Sequence, residues 1–371
     1  MGLWSRFWSW LSPPEPVVNA PAQAVEGPAP TRSVHRHTRT ANRPRPTAHV
    51  AVELPAEPSR ESASLEAEDE ELEAALIYDL TVRCRQLSEA LDEEEPDLAL
   101  LVERLRGEPG DALPQIPAAA QEGLALTVNP DVEVTALVQT FERDPSLAQA
   151  LLRTANSSYY GFSSPCTSIG KAVVKMGRRG LRNVLLAQIM RGLVVRPGAA
   201  FGDMPTEVWA HMSESAPLAR RLAPIFGADP EEAFALALLH DAGKLVVFEA
   251  ASALRRTLRR EVQVQDPTLI GRCLDLLHEP LGGLAVLKWG FGPEVARVVA
   301  HHHRRPAPKH VRSPLSETIY LADKLELAGD VSTANLEAIW ARGRLSGDPA
   351  RVSELPTDTW SRRALVEAGQ A

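Results

Sequence analysis

Phe234-Ala235-Leu236-Ala237-Leu238-Leu239-His240-Asp241-Ala242-Gly243-Lys244-Leu245 begins as an apolar helix and then turns polar without leaving its apolar stripe. His240 follows Leu236 by four positions. Asp241 follows Phe234, Ala237 and Leu238 by seven, four and three, the spacings that stack side chains on one helical face. A polar group on a core-facing stripe is costly unless it finds a partner inside. The same exchange of polar for apolar recurs downstream and upstream. His211 is in register with Val208, Ser215, Leu218 and Leu222, and His278 stands four after Leu274. His302 continues Val295, Val298 and Val299, and Asp323 continues Leu315 and Ile319. The chain has 10 histidines, none of them between His49 and His211, and most lie between positions 211 and 303.

Around these positions the period is helical. Stretches 66–91, 96–105, 178–194, 206–226, 230–239, 267–277, 293–302, 314–327 and 333–340 carry apolar residues three and four apart. Asp144-Pro145 supplies an N-cap and a first-turn proline for a helix bearing Leu147, Leu151 and Leu152. Ser168 is placed to cap a short helix that stops at Gly177. No stretch alternates strictly between apolar and polar, so the predicted fold class is all-α. Of 371 residues 44% are hydrophobic, enough for one large domain or two small ones and too many for a wholly disordered chain.

The ends read differently. A third of the 30 prolines fall between Pro13 and Pro58, a composition that does not offset its ordering entropy by burial. Residues 12–64 are therefore expected to be a disordered Pro-rich linker. Within it Arg32, Arg36, Arg39, Arg43 and Arg45 form a basic arm, read first as solvated linker charge and alternatively as a nucleic-acid or anionic-lipid contact. Trp4, Phe7, Trp8 and Leu11 line one face of a short amphipathic segment over residues 1–11, suited to weak contact with a membrane surface or partner. Its apolar core is too short for a secretory signal. The expected division is thus 1–11, 12–64, a helical connecting segment over 65–109, a main domain over 110–328, and a C-terminal extension over 329–371.

Net charge of −8 argues against a chain whose main task is to hold phosphate backbone. Three cysteines, Cys84, Cys166 and Cys273, are odd in number and far apart, which suits a reducing compartment and neither a disulfide scaffold nor a paired-cysteine zinc site. No apolar run approaches the roughly 18 to 20 residues that span a bilayer. Cytoplasmic placement, with the first segment allowing a position peripheral to the membrane, is the expectation.

Four or five imidazoles and two carboxylates pointing inward from separate helices are what a one- or two-ion site for Zn, Mn, Fe or Mg requires. Nitrogen and oxygen donors without thiolate suit a hydrolytic centre. The alternative is a satisfied network in which neutral histidines pair with Asp241 and Asp323 and no metal is held. Lys244 is read either as a contact for a ligand phosphate or as a helix-end cap pointing to water. Arg178, Arg179 and Arg182 are read as a solvated face, with an anionic partner as the other option. Tyr159 and Tyr160, beside Asn156 and Ser157, are read as fixing a loop.

Leu239-His240-Asp241-Ala242-Gly243-Lys244, with His211 in Trp209-Ala210-His211-Met212-Ser213 and Asp323 in Leu321-Ala322-Asp323-Lys324, resembles the HD superfamily of metal-dependent phosphohydrolases. The chain looks more specifically like an HDOD domain. That likeness runs through Leu113-Pro114-Gln115-Ile116-Pro117, Asp144-Pro145-Ser146-Leu147, Leu152-Arg153-Thr154-Ala155-Asn156-Ser157 and Ile169-Gly170-Lys171-Ala172-Val173 to His278, Trp289-Gly290-Phe291 and His301-His302-His303. The resemblance covers about residues 110–328 and implies an HD/HDOD-type helical bundle serving bacterial signal transduction as a regulatory output module. Catalytic relatives place metal ligands at positions matched here by His211, His240, Asp241, His278, His301 or His302, and Asp323. The HD-GYP phosphodiesterases carry Gly-Tyr-Pro after the histidine pair, where this chain has His303-Arg304-Arg305-Pro306, so cyclic di-GMP hydrolysis is not expected. Pro280 departs from the pattern and is expected to start a new helical turn that shifts His278.

Three functions follow. The first is a non-catalytic signalling module that binds a partner protein or a small phosphate-bearing ligand. The second is a metal-dependent phosphohydrolase acting on a nucleotide or phosphate ester, with His211, His240, Asp241 and Asp323 as ligands and His278 and His302 holding a second metal or the substrate. The third is a nucleic-acid-binding regulator using the basic arm, which ranks last because nucleic acid is not expected as the main partner.

Overall fold

A computed structural model describes residues 60–355 apart from 92–94, 108, 130, 158–159, 161–164, 304–307 and 330. The N-terminal amphipathic segment, almost all of the proline-rich linker with its basic arm, Tyr159, and the tail beyond residue 355 with Trp360 lie outside the described residues. Within them there are helices and no strands, as the period predicts. No helix among them is long and apolar enough to cross a membrane.

The first helix, α1 (Arg60–Ser88), starts a few residues before the expected boundary at 64. It buries Leu76, Leu80, Cys84 and Leu87, spaced along one face. The next, α2 (Pro96–Gly107), does the same with Leu98, Leu101, Val102 and Leu105. Neither stands apart, for both faces join the main hydrophobic core. Buried Asp97 accepts from Arg260 Nη2 at 2.8 Å and from the Gln263 amide at 2.8 Å, tying the start of α2 to a distant loop.

Four further helices form a smaller lobe: α3 (Ala118–Val128), α4 (Val134–Glu142), α5 (Pro145–Ala155) and the first half of α6 (Ile169–Gly192). Asp144 caps α5 as its sequence predicts, accepting from the amides of Ser146 at 2.8 Å and Leu147 at 3.2 Å. Leu137, Phe141, Leu151, Val173, Leu181 and Leu185 fill this lobe. Gly177 (φ +64°) kinks α6 where the sequence places a stop, and the helix then resumes. Ser168 occupies the N-cap position of α6, but its side chain makes no capping bond, contrary to expectation. Beyond Leu185 the same helix leaves the smaller core and places Leu186, Ile189 and Met190 in the larger one.

The larger core is enclosed by α7 (Met204–Phe226), α8 (Pro230–Leu239), α9 (Ala242–Leu258), α10 (Thr268–Lys288), α11 (Pro293–Val299) and α12 (Pro314–Ala328). Asp229 caps α8 through the amides of Glu231 and Glu232 at 2.9 and 3.0 Å, and a Ser313–Ser316 capping box starts α12. A last long helix, α13 (Thr333–Gly343), stacks Trp340 on Phe226 with ring centroids 5.8 Å apart.

Pro280 corrects an expectation. It lies inside α10, which runs through without a break. A proline lacks the N–H that would bond the carbonyl four residues back. That carbonyl, Leu276 O, instead accepts from Arg83 Nη1 of α1 at 2.9 Å. A side chain nearly two hundred positions away supplies the missing donor, so the helix does not need to restart.

A candidate metal centre among six helices

His240 and Asp241 occupy the two-residue junction between α8 and α9. Asp241 sits at the N-cap of α9, yet its carboxylate makes no capping bond and turns into the core, where it is fully buried. The turn is possible because of Gly243. A Cβ there would lie 1.9 Å from the carbonyl oxygen of His278 and 2.6 Å from the amide of Gly282, so only glycine lets the first turn of α9 rest on α10 at this depth. That approach brings Asp241 to His278.

Six helices then contribute. His211 comes from α7, His240 from the end of α8, Asp241 from the start of α9, His278 from α10, His302 and His303 from the turn after α11, and Asp323 from α12. Two groups of donor atoms form, each within 4.8 Å of one another: Asp241, His278, His302 and His303, and then His211, His240 and Asp323. Asp241 stands between them. Its Oδ1 lies 3.7 Å from His278 Nε2 and 3.6 Å from His302 Nε2, while its Oδ2 lies 3.6 Å from His211 Nε2 and 3.7 Å from His240 Nε2.

These separations are too long for hydrogen bonds. They fit ligands of a shared ion, since two atoms each about 2.1 Å from a tetrahedral metal are roughly 3.4 Å apart. The orientation of the rings is fixed independently. His240 Nδ1 bonds Ala237 O, His278 Nδ1 bonds Leu274 O and His302 Nδ1 bonds Val299 O, each at 2.7 Å. A carbonyl only accepts, so each Nδ1 carries the proton and each Nε2 presents its lone pair. His278 Nε2, His302 Nε2 and Asp241 Oδ1 are buried and make no hydrogen bond. Orphaned atoms of this kind, converging from three helices, are costly in a closed polar network and are the donor set a divalent ion completes. The residues fit a metal.

Charge follows the same design. Burial, above all, pushes His240 down to about 3 and His278 well below its usual value, so both are neutral ligand-ready imidazoles at pH 7. Burial would raise Asp241, but the Lys244 ammonium holds it well below the carboxylate range; burial opposes Asp323 in the same way, and His211, His303 and Lys324 keep it ionised. His211 is the exception. Burial works against its charge, yet Asp323 and Glu326 lift it to about 10. Its Nδ1 contacts Glu326, and its Nε2 lies 3.0 Å from the lone pair of His240 Nε2 and 3.3 Å from Asp323 Oδ1. Both ring nitrogens therefore hold protons, and a metal held at His211 would displace one.

His301 does not join the cluster. Its Nδ1 bonds Arg297 O at 2.9 Å and its ring faces His310, 6.0 Å away. His302, the histidine in register with Val295, Val298 and Val299, does join, and His303 stands beside it in the turn that follows the end of α11 at Val299. Lys244 is neither a helix-end cap nor a solvated side chain: in the first turn of α9, its Nζ lies 2.7 Å from Asp241 Oδ2. The arginine cluster is likewise more engaged than a solvated face. Arg178 donates to Leu126 O at 3.2 Å and Asn129 O at 2.8 Å, where the C-terminal end of α3 welcomes a cation, and Arg179 pairs with Asp229. Arg182 lines a cleft of about 420 Å³ with Leu236, Leu239 and Val298. Asn156, read from the sequence only as a neighbour of the tyrosines, bonds both the amide and the carbonyl of Cys166. All three cysteines are free and buried, away from the cluster.

Three residues next to the site were not singled out in the sequence. Glu326 lies three positions after Asp323 on α12, a spacing visible to the eye. Lys324 turns back onto its sequence neighbour, its Nζ 2.7 Å from Asp323 Oδ2, and Glu279 reaches the site through tertiary packing, its Oε1 accepting the backbone N–H of His303 at 3.0 Å.

Comparison with known proteins gives the family and the fold. Residues 113–305 match the family model of the HDOD domain. An uncharacterised protein of Treponema pallidum (strain Nichols) is 27% identical over 219 residues, 57% of this chain and 42% of that protein, so the chain matches less than half the length of that relative. Among solved structures, a candidate metal-dependent phosphohydrolase from Shewanella amazonensis is similar with a TM-score of 0.57 and 22% identity, covering 72% of this chain and 95% of the other. An HDOD domain protein of unknown function from Geobacter sulfurreducens has a TM-score of 0.51 and 19% identity, covering 77% and 97%. At these identities the likeness carries the fold alone.

Proposed function

Because the chain belongs to the HDOD domain family, we propose that it is a signal-transduction output module of the cytoplasm whose bundle holds a divalent metal and passes the state of that site to a protein partner, without turnover of its own. The observation that carries this reading is a link from the metal centre to a helix outside the family match. Arg83 of α1 donates to Glu279 Oε2 from both Nη atoms at 3.2 Å, while the other oxygen of Glu279 holds the His303 amide. Both side chains are nearly buried, so the pair is not screened away. A site that is only to be held still needs no such connection. A module that reports on its site needs one to an element reachable from outside, and α1 is the helix through which the N-terminal segment enters the fold.

The second reading, a phosphohydrolase acting on a phosphate ester, is favoured by Lys244, whose ammonium stands beside Asp241 where an anionic oxygen would arrive. A metal held by Asp241, His278, His302 and His303, or by His211, His240 and Asp323, would supply an acidified water and polarise a phosphoryl oxygen.

One experiment separates the two. Protein purified without chelator is analysed for metal, then followed by hydrogen exchange and assayed against bis(p-nitrophenyl) phosphate. The signalling reading expects one or two ions per chain, lost in Asp241→Ala, slower exchange of the 76–88 amides when metal is present, and no turnover. Turnover that vanishes in Asp241→Ala would hand the chain to the second reading. Absence of metal in protein exposed to Mn²⁺ would defeat both.

A further inference from the structure

Lys324 is paired with a carboxylate oxygen that a metal would also need. Its Nζ lies 2.7 Å from Asp323 Oδ2 and 3.1 Å from His303 Nδ1, and those two atoms are themselves 3.3 Å apart. An ammonium at these distances and a divalent ion about 2.1 Å from the same donors exclude one another, by volume and by like charge. Lys244 stands in the same relation to Asp241 Oδ2. Each of the two buried carboxylates thus has a lysine of its own, beside the His211 imidazolium that faces both.

The carboxylates are enclosed and the lysines are not. Asp241 and Asp323 are each 1% exposed, whereas the side chains of Lys244 and Lys324 are 18% and 27% exposed. A lysine has a flexible four-carbon stem that lets its head withdraw to water. The Lys324 ammonium also lies 5.8 Å from the face of Tyr320, one turn earlier on α12.

We propose that Lys324, together with Lys244, is an exchangeable counter-ion of this site: it neutralises Asp323 until a divalent ion enters, is displaced by that ion, and then recognises the phosphate group of a ligand at the rim. The proposal rests on the metal-binding reading above. It explains how two buried carboxylates are tolerated before metal is loaded, since an unpaired buried charge is strongly destabilising. It also names the ligand chemistry. Two ammonium groups pushed outward from a divalent centre leave positive charge at its rim, and an anion with several oxygens bridges metal and lysines together.

The test uses the full chain. Mn²⁺ affinity is measured by calorimetry for the wild type, Lys324→Met and Lys244→Met, and thermal melting is followed in chelator and in Mn²⁺. Lys324→Met is expected to bind Mn²⁺ about tenfold more tightly, the sign opposite to loss of a ligand, because no cation has to be expelled. In chelator its melting temperature is expected to fall, and Mn²⁺ or the second change Asp323→Asn to restore it. Inorganic phosphate is then titrated into the Mn²⁺-loaded proteins, and Lys324→Met is expected to bind it about tenfold more weakly. Equal or weaker Mn²⁺ affinity in Lys324→Met overturns the proposal, as does an unchanged melt in chelator. If neither protein binds Mn²⁺, the metal reading fails and the melt alone decides whether Lys324 is the counter-ion of Asp323. If Lys324→Met does not fold, Lys324→Gln, which keeps a donor and drops the charge, reads the same affinity change.

Discussion

The two hydrophobic cores are built from the same helical period and differ in what they bury. Among the described residues, the smaller lobe of α3, α4, α5 and the first half of α6 buries no Asp, Glu, His, Lys or Arg. The larger core surrounds His240, Asp241, His278, Glu279, His302 and Asp323. One lobe is packed for stability and the other gives up part of its stability to hold a site. Buried charges and orphaned nitrogens cost free energy that apolar side chains of similar volume would not.

Breaking each lobe in turn sharpens this contrast. Asp241→Ala removes the carboxylate that faces both donor groups, and metal affinity is expected to fall by more than the roughly 10- to 100-fold that follows loss of an outer hydrogen-bond partner; calorimetry checks it. Leu151→Ala in the smaller core, where the side chain is fully buried, is expected to cost about 2–5 kcal/mol in denaturant melts and leave metal affinity unchanged. Loss of affinity there would show that the two cores are not independent. Arg83→Met removes the donor to Leu276 O and strands Glu279, at a cost of about 1–3 kcal/mol. Unlike Leu151→Ala, it is expected to weaken Mn²⁺ binding as well.

Acidity separates the lobes most gently. His240 is pushed down to about 3, so in metal-free protein the unfolded chain takes up a proton below about pH 6.5 that the folded chain refuses. Stability falls as pH drops from 6.5 toward 3, with His278 acting in the same direction. His211 is lifted to about 10, so its contribution is full below about 6.5 and is lost as pH rises toward 10. Chemical denaturation in chelator is expected to give a maximum near pH 6.5 and a decline on both sides. His211→Gln is expected to flatten the alkaline side, and a profile flat from pH 4 to 10 would contradict the protonation states assigned to the cluster.

What could be read from residues alone was whatever local spacing determines. Asp144 begins a helix because an aspartate followed by proline is preorganised to do so, and His240, Asp241, His278, His302 and Asp323 announce themselves as polar residues on apolar stripes. The reading failed where chain direction ceases to be helical or where distant parts meet. The family resemblance offers His301 or His302 and the apolar stripe singles out His302, but the turn after Val299 adds His303, which no helical register reaches. Pro280 was expected to break α10, but the remedy, Arg83, lies on another helix. Lys324 follows Asp323 directly, and nothing in a one-dimensional period tells a lysine that turns back onto a buried carboxylate from one that points to water.

X-ray absorption spectroscopy of the Mn²⁺- or Zn²⁺-loaded protein tests the existence of this internal site most directly. A shell of nitrogen and oxygen atoms with the outer scattering of several imidazole rings, and no sulfur, is expected. A spectrum of water oxygens alone, or one containing sulfur, would contradict it.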